Sequence, residues 1–383
     1  MEEKKQKKKK SKILPIILGM IPGFIAGIAL AFLIDWAFDK PPLGKYMCAL
    51  FLAVCFVAIA IIFGIAIHEA GHLVFGLMTG YKFSSYRIFN LMWLKDEKTK
   101  KIKAKRFKIA GTGGQCLMTP PDLKDGKIPS TLYNLGGVLA NIIIGFVFLI
   151  LFFVFIKIKP LAAVMMIFAL FNITFAMTNG IPMSAGGIDN DAKNAIAIKK
   201  NPEAMRAFWI QMKINEEISK GVRLKDMPDE WFTLPTEDQM QNSMISNLAV
   251  FAANRLVDEK KFEEADELMA QIIEGDNATI MFYKQMLTCD RIYVELIGKC
   301  RSEIIENMLD TNQKAIMKAM KNFPSIIRTQ YAYELLLNQD EEKANDWLET
   351  FEEIAKKYPY ENEINSEREL IDIATKKTIE TNQ

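Results

Sequence analysis

The sequence predicts a mainly α-helical, polytopic membrane protein with four spanning helices, a β-hairpin at the membrane surface and a cytosolic helical domain. Three observations predict it. Four long apolar runs occupy the first half of the 383 residues. Lysine and arginine cluster on one side of those runs, and from about Gln239 onward the pattern is amphipathic helix. The net charge of +2 averages two unlike halves, one apolar with basic clusters and the other polar and rich in Glu and Lys. Four domains follow: residues 1–45, a basic N-terminus with the first helix; 46–192, the membrane core; 193–238, a connector; and 239–383, a repeat-like helical domain.

The first run, Ile13 to about Phe38, follows a basic stretch from Lys4 to Lys12. It is about twice the length of a signal-peptide core, and Asp35, Trp36 and Pro41 do not resemble a small-residue cleavage site. We read it as a retained helix whose lysines fix topology rather than bind nucleic acid. The second run, Tyr46 to about Met78, would be roughly 50 Å long as a helix, more than a ~30 Å hydrocarbon core requires. The third and fourth, Leu132 to Ile156 and Leu161 to Ile181, are each about one bilayer long. The short Lys157–Pro160 connection makes them an antiparallel hairpin.

Orientation follows from charge. The 79–131 segment is strongly basic, whereas the 39–45 loop holds only Lys40 and Lys45. Both this segment and the N-terminus therefore belong in the cytosol, and four crossings return the C-terminus there. Lys157 and Lys159 run against the rule. Within 79–131, Tyr81–Phe89 and Lys101–Ile109 alternate polar with apolar residues, and Asp96-Glu97-Lys98 suits a turn between two strands. Gly111-Thr112-Gly113-Gly114 lacks the lysine of a phosphate loop and is expected to turn or to let backbone pack closely.

The five cysteines are odd in number and form no C-x-x-C pair, which suggests neither a cysteine zinc site nor a disulfide framework. The chemistry lies elsewhere. His68-Glu69-Ala70-Gly71-His72 reads H-E-x-x-H at the end of the second run, and these are the only two histidines in the chain. Four residues apart on a helix, His68 and His72 share one face and can bind one Zn²⁺, with Glu69 placed to take a proton from water. Ionisable groups in such a segment cost on the order of 2–4 kcal/mol each and mark working sites.

A hydrolytic zinc site usually has three protein ligands. With no other histidine and no cysteine pair, a carboxylate must be the third. Asp189 and Asp191 stand at the cytosolic end of the fourth run, on the side of His68 and His72. Asp191 is preferred and Asp189 is the alternative, and either could cap the helix starting near Ala192. In the third run, Gly136-Gly137 suits close helix packing, and Asn141 needs a polar partner. Asn141 could donate to a substrate carbonyl or an oxyanion, or hold structure.

Taken together, residues 46–192 resemble the site-2 protease family of intramembrane zinc metalloproteases. The resemblance rests on His68, Glu69 and His72, then Gly137 with Asn141, then Asn179 and Pro182 with a following aspartate. It implies a three-helix catalytic core, a Zn²⁺ cofactor and an endopeptidase acting on a membrane-spanning or membrane-associated peptide. The third motif departs from the family pattern. Its usual spacing would put the ligand near Gly187, and Ala192 stands where glycine would follow Asp191.

Beyond the core, Leu248–Val257 with Lys261–Leu268, and Tyr331–Leu337 with Glu342–Phe351, resemble tetratricopeptide helix pairs, and a generic bundle is the competing reading. A repeat array would present a concave surface to a cytosolic protein partner. Two other functions compete with a site-2 type protease. One is a catalytically inactive membrane scaffold acting through the helical domain. The other is a prenyl-protein endopeptidase, whose E-x-x-x-H/D type motif is not found downstream.

Overall fold

In the computed structural model, residues 27–95, 99, 101–108, 112–185 and 188–381 are described. The lysine run, the Asp96-Glu97-Lys98 turn, Gly111 and Gly187 lie outside them. The chain divides into two compact units, one of Met1–His68 with Val138–Thr178, the other of Glu69–Gly137 with Asn179–Gln383.

The first unit is helical and apolar. It holds helix α1 (Gly27–Phe38) and most of α2 (Leu43–Met78), α3 (Ser130–Val154) and α4 (Lys159–Gly180). The last three are long and apolar enough to cross a membrane. Their outward side chains include Phe51, Ile150 and Phe153, each more than 60% exposed, a face suited to lipid. Helices α3 and α4 are antiparallel neighbours, as the short connection predicts: Phe148 stacks on Phe168, and a Cβ on Gly145 would lie 3.0 Å from Ile173. Lys159, which ran against the charge rule, forms an ion pair with Asp39.

The second unit carries a sheet and the helical domain. Strands β1 (Lys82–Ile88), β2 (Leu91–Lys95), β3 (Ile102–Arg106) and β4 (Gly114–Thr119) form one antiparallel sheet in the order β3-β2-β1-β4. This corrects the expected two-stranded hairpin, because β1 and β3 are not partners. Leu91-Met92-Trp93-Leu94 is too uniformly apolar to show alternation, yet it forms the strand between them. The reversal from β1 to β2 needs only Phe89 and Asn90, with Phe89 in the left-handed region at φ 50°. Arg87, 1% exposed, steadies that turn by donating to the Phe89 carbonyl at 2.8 Å.

A short pair, β5 (Ser184–Ala185) and β6 (Ile188–Asp189), leads into α5 (Asp191–Lys200) and α6 (Pro202–Lys220). Asn201 caps α6 and proline follows at its first position, both strong start signals. Residues Met205, Phe208 and Met212 of α6 pack with Tyr81, Cys116 and Tyr133 in one core, so this stretch is well packed. Then follow α7 (Ser243–Asp258), α8 (Phe262–Glu274), α9 (Met281–Ile297), α10 (Ser302–Met308), α11 (Thr311–Ala319), α12 (Pro324–Ala332), α13 (Glu341–Ala355) and α14 (Glu361–Thr381). A continuous apolar core joins α7, α8, α9, α12, α13 and α14. Helices stand at both places where repeat-like pairs were expected. The sheet is anchored to this domain: Phe107 packs against Phe323, Tyr358 and Tyr360, and Lys105 donates to the Tyr358 carbonyl at 2.6 Å.

Candidate metal centre

Helix α2 is unbroken through H-E-x-x-H, so His68 and His72 project one turn apart from the same face. Each ring is tied at Nδ1. His68 Nδ1 lies 2.8 Å from Asn141 Oδ1, and His72 Nδ1 lies 2.7 Å from the Tyr133 carbonyl oxygen. Both partners are acceptors, so both rings are assigned the Nδ1–H tautomer, and the Nε2 lone pairs remain as ligands.

Asn141 is fully buried, and its amide is spoken for on both sides. While its oxygen accepts from His68, its Nδ2 donates to the Gly64 carbonyl at 3.0 Å and to Asn172 Oδ1 at 2.9 Å. Asn172 in turn donates to the Phe168 carbonyl one turn back on α4. Sequence reading missed Asn172, although its signal is that of Asn141, an amide inside an apolar run. Tyr133 contributes a backbone carbonyl, which leaves no trace in residue type.

Asp191 is the first residue of α5, and neither it nor Asp189 caps that helix. The cap is Asn190, whose side chain accepts from the Lys193 N–H at 3.1 Å. Asp189 turns to other partners: Ser184 at 2.6 Å, Lys193 at 2.9 Å and Ser243 at 3.3 Å. Burial opposes its ionisation, but the Ser184 and Lys193 contacts hold its carboxyl below the usual range. Asp191 Oδ2, by contrast, stands 3.4 Å from His72 Nε2.

His68, His72 and Asp191 each offer a ligand atom, all within 4.8 Å of one another, the last two on their helices and the first one turn before His72. The donor set suits a metal. Two zinc ligands at about 2.0–2.1 Å and a tetrahedral angle lie roughly 3.3 Å apart, close to the spacing of His72 Nε2 and Asp191 Oδ2. With Nδ1 protonated, the Nε2 lone pair faces the Asp191 carboxylate, and a metal cation between them, or a second proton on the ring, makes the approach favourable.

Two glycines bring backbone to this centre. A Cβ on Gly136 of α3 would lie 2.6 Å from the Gly71 carbonyl oxygen and 3.1 Å from the His72 Cα. At the start of β4, a Cβ on Gly114 would lie 2.6 Å from Glu69 Cγ and Oε1. The close packing expected of the glycine-rich stretch thus occurs at Gly114, with Glu69 as its neighbour. Arg87 donates to Thr112 Oγ1 at 2.6 Å on the approach to β4. Burial lowers its pKa, and the nearby Glu69 carboxylate opposes that.

The sequence model of peptidase family M50 matches residues 56–332, well over half of the chain. The chain belongs to peptidase family M50. This is the site-2 protease family, whose members are zinc metalloproteases of membranes, and the three apolar helices accord with it. The M50 match runs past the motif-bearing stretch of 46–192 and reaches through α11 into α12. Neither a curated protein nor a solved structure matches the chain.

Proposed function

We propose that this M50 peptidase is an intramembrane zinc endopeptidase that cuts a membrane-embedded or membrane-associated peptide near the cytosolic face. The observation that carries the reading is the convergence of His68, His72 and Asp191 with both Nδ1 atoms already bound to acceptors. These three residues would hold Zn²⁺, which when bound supplies Lewis acidity and makes water a nucleophile near neutral pH.

Glu69 takes the proton of the attacking water on its carboxylate and later gives it to the departing amine nitrogen. Tyr133 and Asn141 fix the ring orientations on which the ligand geometry depends. We read Asn141 as a positioning residue for His68, because substrate contact would require it to give up bonds to His68, Gly64 and Asn172. Strand β4 is an edge strand, and its first residue touches Glu69. A substrate adding to that end would be held extended beside the proton acceptor, whereas a helical peptide bond is hidden and already hydrogen-bonded. Four crossings, with both termini and the helical domain in the cytosol, complete this reading.

The test is a comparison of membrane-protein termini in cells carrying wild type and Glu69→Gln. A protease loses specific cleavage products with Glu69→Gln. A scaffold leaves the set of termini unchanged.

A further inference from the structure

The helical domain contains a cavity of about 330 Å³ whose walls come from α6, α7, α9, α12 and α14. It is remote in sequence from the metal ligands and plays no part in the reaction described above. Five aromatic side chains line it: Phe251, Phe282, Tyr283, Phe323 and Tyr358. Four carboxylates share the wall, Asp258, Asp290, Glu363 and Glu367.

Three of those carboxylates have a cation nearby within the domain, although Glu367 Oε2 makes no hydrogen bond. Asp258 pairs with Arg223 at 2.5 Å, Asp290 pairs with Arg328, and Glu367 lies 3.2 Å from Arg328 Nε. Glu363 has no cation partner among the described residues; it is hydrogen-bonded to Tyr358 and lies one helical turn from Glu367. Two asparagines add to the imbalance. Asn362, 7% exposed, donates to the Val222 carbonyl at 2.7 Å, which fixes its amide, and its Oδ1 accepts nothing. Asn247 donates to Gln211 Oε1 at 3.2 Å, and its Oδ1 is likewise unpartnered.

The wall's buried side-chain atoms without a hydrogen-bond partner are all acceptors, Asn247 Oδ1, Asn362 Oδ1 and Glu367 Oε2, and the Glu363 carboxyl lies beside them, set among aromatic faces. Such a wall is completed by a ligand with several donors, a positive charge and an apolar stem. We propose that the cavity receives a basic side chain, arginine or lysine, of a polypeptide, with Glu363 as counter-ion and Asn247 and Asn362 as further acceptors. Burial pushes both Glu363 and Glu367 up to about 7, and the Glu367 charge adds to the rise at Glu363. A polypeptide source is favoured over a free polyamine because the buried acceptors are few and grouped near one carboxylate, enough for a single charged head.

The test uses the full chain in detergent and three probes: acetyl-Gly-Gly-Arg-Gly-Gly-amide, its citrulline counterpart and spermidine. Calorimetry should show the arginine peptide binding at least about tenfold tighter than the neutral citrulline peptide. Glu363→Gln should remove that preference while a cooperative thermal transition and zinc content are retained. Should Glu363→Gln fail to fold, Asn254→Arg offers a second route, since a guanidinium grown from the wall should occupy the cavity and abolish peptide binding. Equal affinity for the two peptides, a preference that survives Glu363→Gln, or binding of spermidine alone would each overturn the proposal. Because zinc content and peptide binding are read separately, loss of one does not imply loss of the other.

Discussion

Asn141 Oδ1 lies 2.8 Å from His68 Nδ1, and this contact, with that of the Tyr133 carbonyl on His72, links α3 to the H-E-x-x-H motif. A carboxamide here accepts the ring proton and spends both of its own hydrogens on Gly64 and Asn172. Asn141→Leu should therefore lower zinc affinity about 10–100-fold, the usual range for such outer partners. Competition with a fluorescent chelator measures it. A substrate-binding residue would behave otherwise, raising KM at full zinc occupancy.

Gly136 faces backbone rather than a movable side chain. Gly136→Ala sets a methyl against the Gly71 carbonyl and must separate α3 from α2 at His72. The expected cost is about 1–3 kcal/mol, with loss of zinc. Gly44→Ala, where the space is open, should leave both stability and zinc unchanged. Thermal melts and metal content of the two variants provide the comparison.

Gly114 tests the proton acceptor without touching the ligands. Its Cβ would displace the Glu69 carboxylate, so Gly114→Ala should reduce kcat by at least about tenfold at normal zinc content. A variant with wild-type turnover would show that Glu69 needs no fixed position against β4.

Stability should fall between about pH 4.5 and pH 7. Glu363 and Glu367 keep their protons up to about 7 in the folded chain, whereas unfolded glutamates lose theirs near the ordinary value of 4.5. The folded state thus binds more protons across this window, and raising the pH destabilises it by an amount on the order of a few kcal/mol for the pair. Arg328, Lys260, Asp258 and Asp290 supply the surrounding charge. Glu363→Gln should flatten the slope, as read from melting temperatures across the range.

Much of the centre was legible because its chemistry is carried by rare residues in an unlikely setting. Two histidines and a glutamate inside an apolar helix, Asn141 in the next, and an aspartate beyond the last could each be picked out. What stayed hidden has physical reasons. The Tyr133 carbonyl is backbone, which any residue could supply, and Asn190 took the capping role that Asp189 and Asp191 were equally suited to. Strand β2 lacks alternation, so β1 and β3 looked like direct neighbours although Leu91–Lys95 separates them. In the helical domain, amphipathic periodicity placed helices but could not reveal a cavity whose unmatched acceptors come from α7 and α14.

Zinc content of the detergent-purified chain, compared among wild type, Asp191→Ala and Asp189→Ala, tests the central claim most directly. About one zinc per chain is expected in wild type and in Asp189→Ala, with its loss in Asp191→Ala. Zinc retained in Asp191→Ala but lost in Asp189→Ala would contradict the ligand assignment. No zinc in carefully prepared wild type would contradict the protease itself.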